Sequence, residues 1–119
     1  VFDDLTALYI NCSLKESPDD SHTQRLMEKS ASIMTDQRVP VSFVHAAARR
    51  IPFGMSPDLT EDGHPEDEWP EIQRQIDYAD ILVIGTPIWL GVKSSVATLV
   101  VERLYAGSAQ KNDKGQYRY

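Results

Sequence analysis

Ser13, Lys15, Ser17, Ser21 and Thr23 fall in one short stretch, directly ahead of an amphipathic run that starts near His22. A helix beginning there presents unpaired backbone N–H groups and the positive end of its dipole to that stretch. Hydroxyls and one lysine around such a helix end suit an anion, and a phosphate monoester is the natural guest. Glu16, Asp19 and Asp20 count against an anion unless they point into water. The plainer reading of the same residues is that Ser21 caps the helix and the other serines make turns. A second stretch, Thr86-Pro87-Ile88-Trp89-Leu90-Gly91, follows the most apolar run of the chain. Pro87 fixes the backbone there and Gly91 lets the chain come close to a ligand. Trp89, between Ile88 and Leu90, supplies an apolar wall that suits a flat aromatic ligand; otherwise it packs under a neighbouring loop.

Spacing excludes several familiar chemistries. There is no G-x-x-x-x-G-K-[ST] and no G-x-G-x-x-G, so neither a triphosphate loop nor the ordinary dinucleotide fingerprint is present. A thiolate phosphatase built on Cys12 would want arginine six residues later, where Pro18 stands. A phospho-acceptor receiver would want acids after the first strand, where Asn11 and Cys12 stand. Cys12 therefore reads as a small buried residue, not a nucleophile. His22, His45 and His64 lack ligand spacing, so no metal is expected, and His45 reads as structural. His64 lies in the long acidic loop, which would either close over a ligand or reach a second subunit. No acid–base pair stands out, and no catalytic residue is assigned.

The elements that must position these stretches follow from periodicity. Leu5–Cys12 reads as a strand buried on both faces, and His22 to about Asp36 as a helix with Leu26, Met27, Ser30, Ile33 and Met34 inward. Val39–Ala48 reads as a second strand. Arg49 to Asp67 reads as irregular, with three prolines and two glycines. Trp69–Ala79 reads as a helix with Trp69, Ile72, Ile76 and Ala79 on one face. Ile81–Gly85 is the clearest buried strand, and Val92–Tyr105 a helix with Val96, Leu99, Val100 and Leu104 inward. The tail from Gly107 shows no periodicity. This β-α-β-α-β-α order predicts a doubly wound parallel sheet covered by helices on both faces, in three α/β/α layers. In such sheets ligands sit beyond the carboxyl ends of the strands where the strand order reverses, and the two stretches above occupy those places.

On Cys12-Ser13-Leu14-Lys15, Ser21-His22-Thr23, Ala79 to Trp89, Gly91 and Ser94-Ser95, the chain resembles the flavodoxin-like NAD(P)H-dependent FMN reductases from about Thr6 to Leu104. The resemblance implies a flavodoxin-like fold and FMN as cofactor, with NAD(P)H as co-substrate. It matches Ser13, Lys15, Ser21, His22 and Thr23 to a phosphate loop. It matches Pro87, Ile88, Trp89, Leu90 and Gly91, entered through Thr86, to the segment beside the flavin ring. Asp19 and Asp20 lengthen the first loop, and His22 stands where many relatives carry asparagine. The function implied is an oxidoreductase that takes hydride from NAD(P)H and reduces a quinone or similar small-molecule acceptor. The alternatives are a flavodoxin-type electron carrier and a flavodoxin-like domain that has lost FMN.

Length, composition and charge set the remaining expectations. The chain has 119 residues, 41% hydrophobic and 25% charged, which suits one ordered domain. A formal charge of -6 argues against nucleic acid, and no apolar run suits a membrane span. From Asp58 to Asp80 there are nine acids against Arg74, so the acidity is local and would suit a basic redox partner. One cysteine, and a start at Val1 without a leader, point to the cytoplasm. A homo-oligomer, dimer or tetramer, is expected. A flavodoxin-like sheet has five strands in the order 2-1-3-4-5, and three are readable here. Residues 1–119 are therefore expected to be the N-terminal part of a single such domain, with its last two strands missing.

Overall fold

A computed structural model describes residues 2–15, 17 and 21–119. The expectation that Glu16, Asp19 and Asp20 oppose an anion falls outside the described residues, as does Pro18. Strand β1, Ala7–Asn11, is buried along its whole length. Its side chains alternate between two cores, as the pleat requires. Leu8 and Ile10 join Trp69, Ile72, Ile76, Ala97 and Val100, while Ala7 and Tyr9 join Met27, Ala31 and Val39. A strand that is apolar on both faces belongs in the middle of a covered parallel sheet. Here β1 pairs in parallel with β2, Val41–His45, and with β3, Ile81–Gly85, in the order β2-β1-β3. Helix α1, His22–Asp36, covers one face; α2, Trp69–Tyr78, and α3, Ser95–Ala106, cover the other. The doubly wound, flavodoxin-like architecture read from the sequence is the one observed.

The register decides what meets at the carboxyl edge. Asn11 lies beside His45 on one side and Gly85 on the other, so polar and small residues share that edge. A short antiparallel hairpin follows β3, formed by β4, Ile88–Trp89, and β5, Val92–Lys93. Its two turn residues, Leu90 and Gly91, have φ of 52° and 78°, the left-handed pair that two-residue hairpins need. The helix expected from Val92 therefore begins only at Ser95, after Ser94 has capped it.

Other differences have equally local causes. Along α1 the buried positions are Met27 and Ala31, with Met34 and the Tyr9-bonded Ser30 beside them. Leu26 and Ile33, expected inward, are 71% and 67% exposed. Each sits one residue, about 100°, off the buried stripe. Strand β3 is half-exposed, not buried, and Leu82 is 37% open. Only β1 pairs with it among the described residues. The second strand is shorter than expected because Ala46–Ala48 turns into a 3-10 helix. The tail is ordered: Lys111 bridges to Tyr117, Arg118 pairs with Asp77, and the Tyr119 hydroxyl meets the Gln73 amide group.

The long segment after β2 is held by a buried ion pair. Arg103 of α3 and Asp67 have side chains without solvent exposure, with Nη2 2.5 Å from Oδ2 and Nη1 3.1 Å from Oδ1. Arg103 also donates to the carbonyls of Pro52 and Ser56, at 2.9 Å and 3.3 Å. Asp67 accepts from the backbone amides of Leu59 and Trp69, which ties a 3-10 turn, Leu59–Asp62, to the start of α2. The segment read as irregular is thus fastened at four points.

Removing one partner of such a pair strands a charge in the core, which typically costs about 3–5 kcal/mol. Arg103→Met should lower the unfolding free energy in urea by that amount, and Arg103→Met with Asp67→Leu should recover much of it. Burial alone would raise the Asp67 carboxyl, but Arg103 and the two amides outweigh it and hold the group below its ordinary value. A depressed folded-state value stabilises the protein in full above the unfolded pKa of about 4. Wild-type stability should therefore fall as pH drops through the folded-state value, measured as urea midpoint against pH.

Candidate functional site

Asn11 begins the site. It is buried, its Oδ1 accepts from the Ser13 amide at 2.8 Å, and its Nδ2 donates to Gln24 Oε1 at 2.9 Å. The chain leaving β1 is thereby tied to the first turn of α1. Ser21 caps that helix as its sequence suggests, accepting from the Gln24 amide at 3.1 Å. Gly85 explains how the helix comes so close to the sheet. A Cβ there would lie 2.2 Å from Met27 Sδ and 3.0 Å from Thr23 Cγ2.

The two candidate loops are joined at their bases. The Cys12 amide donates to the Gly85 carbonyl at 2.8 Å. Ser94 Oγ donates to the Cys12 carbonyl at 2.7 Å and accepts from the Ala97 amide, so one hydroxyl caps α3 and clamps the first loop. Thr86 Oγ1 accepts from the Ser94 amide and donates to the Pro87 carbonyl, closing the base of the hairpin. Beyond that base Ile88, Trp89, Leu90 and Val92 are exposed, Leu90 wholly so. Gly91 serves the turn through its positive φ; a Cβ there would meet nothing within 4 Å.

Of the residues matched to a phosphate loop, Ser13 and Ser21 are buried, Thr23 is half-buried, and Lys15 and His22 are exposed. Ser13 Oγ is a buried polar atom with no partner among the described residues. The first turn of α1 contains no acid. A helix N-terminus with that composition favours an anion, and the orphaned hydroxyl offers a donor to one. Three further contributors are not among the residues that the sequence marks as binding. Asn11 and Gly85 sit at strand ends, where a polar residue and a glycine carry a weak signal. His45 accounts for the third, with Nε2 2.7 Å from the Lys15 carbonyl oxygen.

Cys12 is fully buried, and desolvation pushes its thiol up to about 12, so it is no nucleophile near neutral pH. Among the described residues no three His, Cys, Asp or Glu side chains cluster as metal ligands would. No helix among them is long and apolar enough to cross a membrane. The acidic segment is largely paired: Glu66 with Arg50, Glu68 and Glu71 with Arg49, Asp67 with Arg103, and Asp77 with Arg118. The Arg50 backbone amide, then the Arg49 side chain, hold the Glu68 carboxyl below its ordinary value. Asp80 accepts from the Thr6 amide at 2.8 Å.

Comparison with known proteins puts names beside this geometry. The family described as NADPH-dependent FMN reductase matches residues 5–117. The chain is 32% identical over 118 residues to an 8-demethyl-8-aminoriboflavin-5'-phosphate synthase of Streptomyces davaonensis, covering 95% of this chain and 46% of that protein. It is 49% identical over 118 residues to a protein of Mycobacterium bovis named divalent metal cation transporter MntH, covering 99% of this chain and 17% of that one. The crystal structure of RosB with the bound intermediate 8-demethyl-8-formylriboflavin-5'-phosphate superposes with a TM-score of 0.79 at 31% identity, over 96% of this chain and 47% of RosB. The chain thus spans less than half the length of these relatives.

Ser94→Ala should remove both a helix cap and the donor to a buried carbonyl, at a combined cost of about 2 kcal/mol. Urea unfolding measures it. Ellman's reagent should label Cys12 slowly in the native protein and completely in denaturant; equal rates would contradict a buried, protonated thiol.

Proposed function

Because this chain belongs to the NADPH-dependent FMN reductase family, we propose that its two cross-tied loops bind FMN in an oxidoreductase that draws electrons from NAD(P)H. The observation that carries this is the buried Ser13 hydroxyl, which has no partner among the described residues, on a loop that Asn11 ties to the acid-free first turn of α1. Ser13, Lys15, Ser21, His22 and Thr23 would hold the phosphate. Ser21 already accepts from Gln24, so its own O–H is what remains to donate. Pro87, Ile88, Trp89, Leu90 and Gly91 would stand beside the ring, with Thr86 fixing the base of that segment.

When bound, FMN supplies hydride acceptance and onward electron transfer, and the protein supplies position and electrostatics. This fits a site without an acid–base pair. The apolar hairpin would keep water from one side of the ring, and the clamps through Asn11, Thr86 and Ser94 would keep the two ends of the flavin in register. A quinone or similar small molecule is the acceptor we propose. A second reading is favoured by the relatives' names: riboflavin 5'-phosphate as the substrate that is altered. The carrier reading draws less support, because five acids of the acidic segment are paired with arginines and not left for a basic partner.

Titration of the protein with FMN should quench both flavin and tryptophan fluorescence, and NADPH should be oxidised when a quinone is added. Trp89→Ala should weaken FMN and riboflavin alike, each by about tenfold, as expected for loss of a ring contact. Mass analysis of the recovered flavin separates the readings: an unchanged FMN supports the reductase, an altered one the flavin-modifying enzyme. Absence of both flavin binding and NADPH oxidation would refute the proposal.

A further inference from the structure

The loop after β1 is fastened from the side of β2 by one histidine. His45 is the last residue of β2, and its Nε2 lies 2.7 Å from the Lys15 carbonyl oxygen. A carbonyl oxygen only accepts, so in this contact the ring carries a proton on Nε2. Nδ1 is buried and has no partner among the described residues. The parallel register sets His45 beside Asn11, and Gly85 on the other side of Asn11. Thr23 and Met27 of α1 pack over Gly85. The His45 contact therefore draws the Lys15 carbonyl to the β2 side, while the first turn of α1 stands toward β3. A carbonyl oxygen carries partial negative charge and would oppose a phosphate if it turned to the helix end. Ser13, whose buried hydroxyl has no partner among the described residues, lies on the same loop between Asn11 and Lys15.

We infer that His45 is a positioning residue for a flavin phosphate: it holds the Lys15 carbonyl, fixes the loop, and keeps a repelling oxygen from the helix N-terminus. The inference rests on the flavin-phosphate reading above.

The test is a fluorescence titration of wild type, His45→Phe and His45→Gln with FMN and with riboflavin. Riboflavin has the same ring and ribityl chain without the phosphate, so the ratio of the two affinities isolates the phosphate end. His45→Phe should weaken FMN by about tenfold and riboflavin by less than about twofold. His45→Gln keeps an N–H donor and should recover most of the FMN affinity. Equal weakening of both ligands, or weakening of neither, overturns the inference and leaves the flavin reading standing. Should His45→Phe fail to fold, the wild type decides through a long-range proton–nitrogen correlation spectrum with FMN bound. An Nε2–H tautomer of His45 supports the inference and an Nδ1–H tautomer overturns it. A wild-type protein that binds neither flavin overturns the flavin reading and this inference together.

Discussion

A guanidinium shut off from water must find its partners inside the protein, and the two Nη groups of Arg103 find them in pieces of chain that are otherwise unrelated. Its contacts reach Pro52, Ser56 and Asp67, and the Trp69 ring lies 5.8 Å from its charged carbon. Asp67 then satisfies amides at Leu59 and Trp69. One pair thus sets the path of the long segment after β2, the start of α2, and the height of α3 on the sheet. Taking both charges out of water is costly, and apolar residues of the same shape could be as stable or more so. What such residues would not supply is direction. The fork of Arg103 accepts only one arrangement of the four oxygens around it.

That arrangement also changes the meaning of the acidic segment. Read along the chain, nine acids against one arginine look like a charged face offered to a partner. Folded, the arginines that answer them come from elsewhere: Arg49 and Arg50 after β2, Arg103 in α3, and Arg118 in the tail. Charge counted in sequence order therefore overstates charge presented to solvent. The pairs at Arg50 and Glu66 are exposed and stabilise little, but they still cancel field at the surface. Of the acids left without an arginine, Glu61 and Asp62 sit exposed on a single 3-10 turn, and the exposed Asp80 accepts from the Thr6 amide.

The parts legible in the sequence were those governed by one short-range rule. The bounds of α1, His22–Asp36, follow from a cap and a period, and the order of strands and helices follows from alternation of apolar runs. The two candidate loops are legible because a parallel sheet gathers the carboxyl ends of its strands. The burial of β3 was not, since an apolar run looks the same at an edge as in the centre. The hairpin at Leu90 is not legible, because leucine with φ of 52° is a rare choice for such a turn. Arg103 reads as one more polar residue of α3, and nothing local marks its pairing with an acid far away in the chain. The places of His45 and Asn11 at the candidate site are not legible, because they depend on strand register.

Register is also what makes the candidate site more than two loops. The Cys12 amide bonds the Gly85 carbonyl, the Ser94 hydroxyl bonds the Cys12 carbonyl, and each of the three lies at or next to the end of a rigid element. Asn11 and His45 add side-chain ties from the same edge of the sheet. Positions held in this way are set by strand pairing, which is cooperative, and less by the connecting loops. A cofactor that performs its own chemistry asks the protein chiefly for fixed distance between its anionic end and its ring. The sheet edge supplies such a distance, with the helix end over Gly85 and the apolar hairpin rising beyond Thr86. Local substitution in either loop can then alter affinity, while the spacing between them stays a property of β1 and β3.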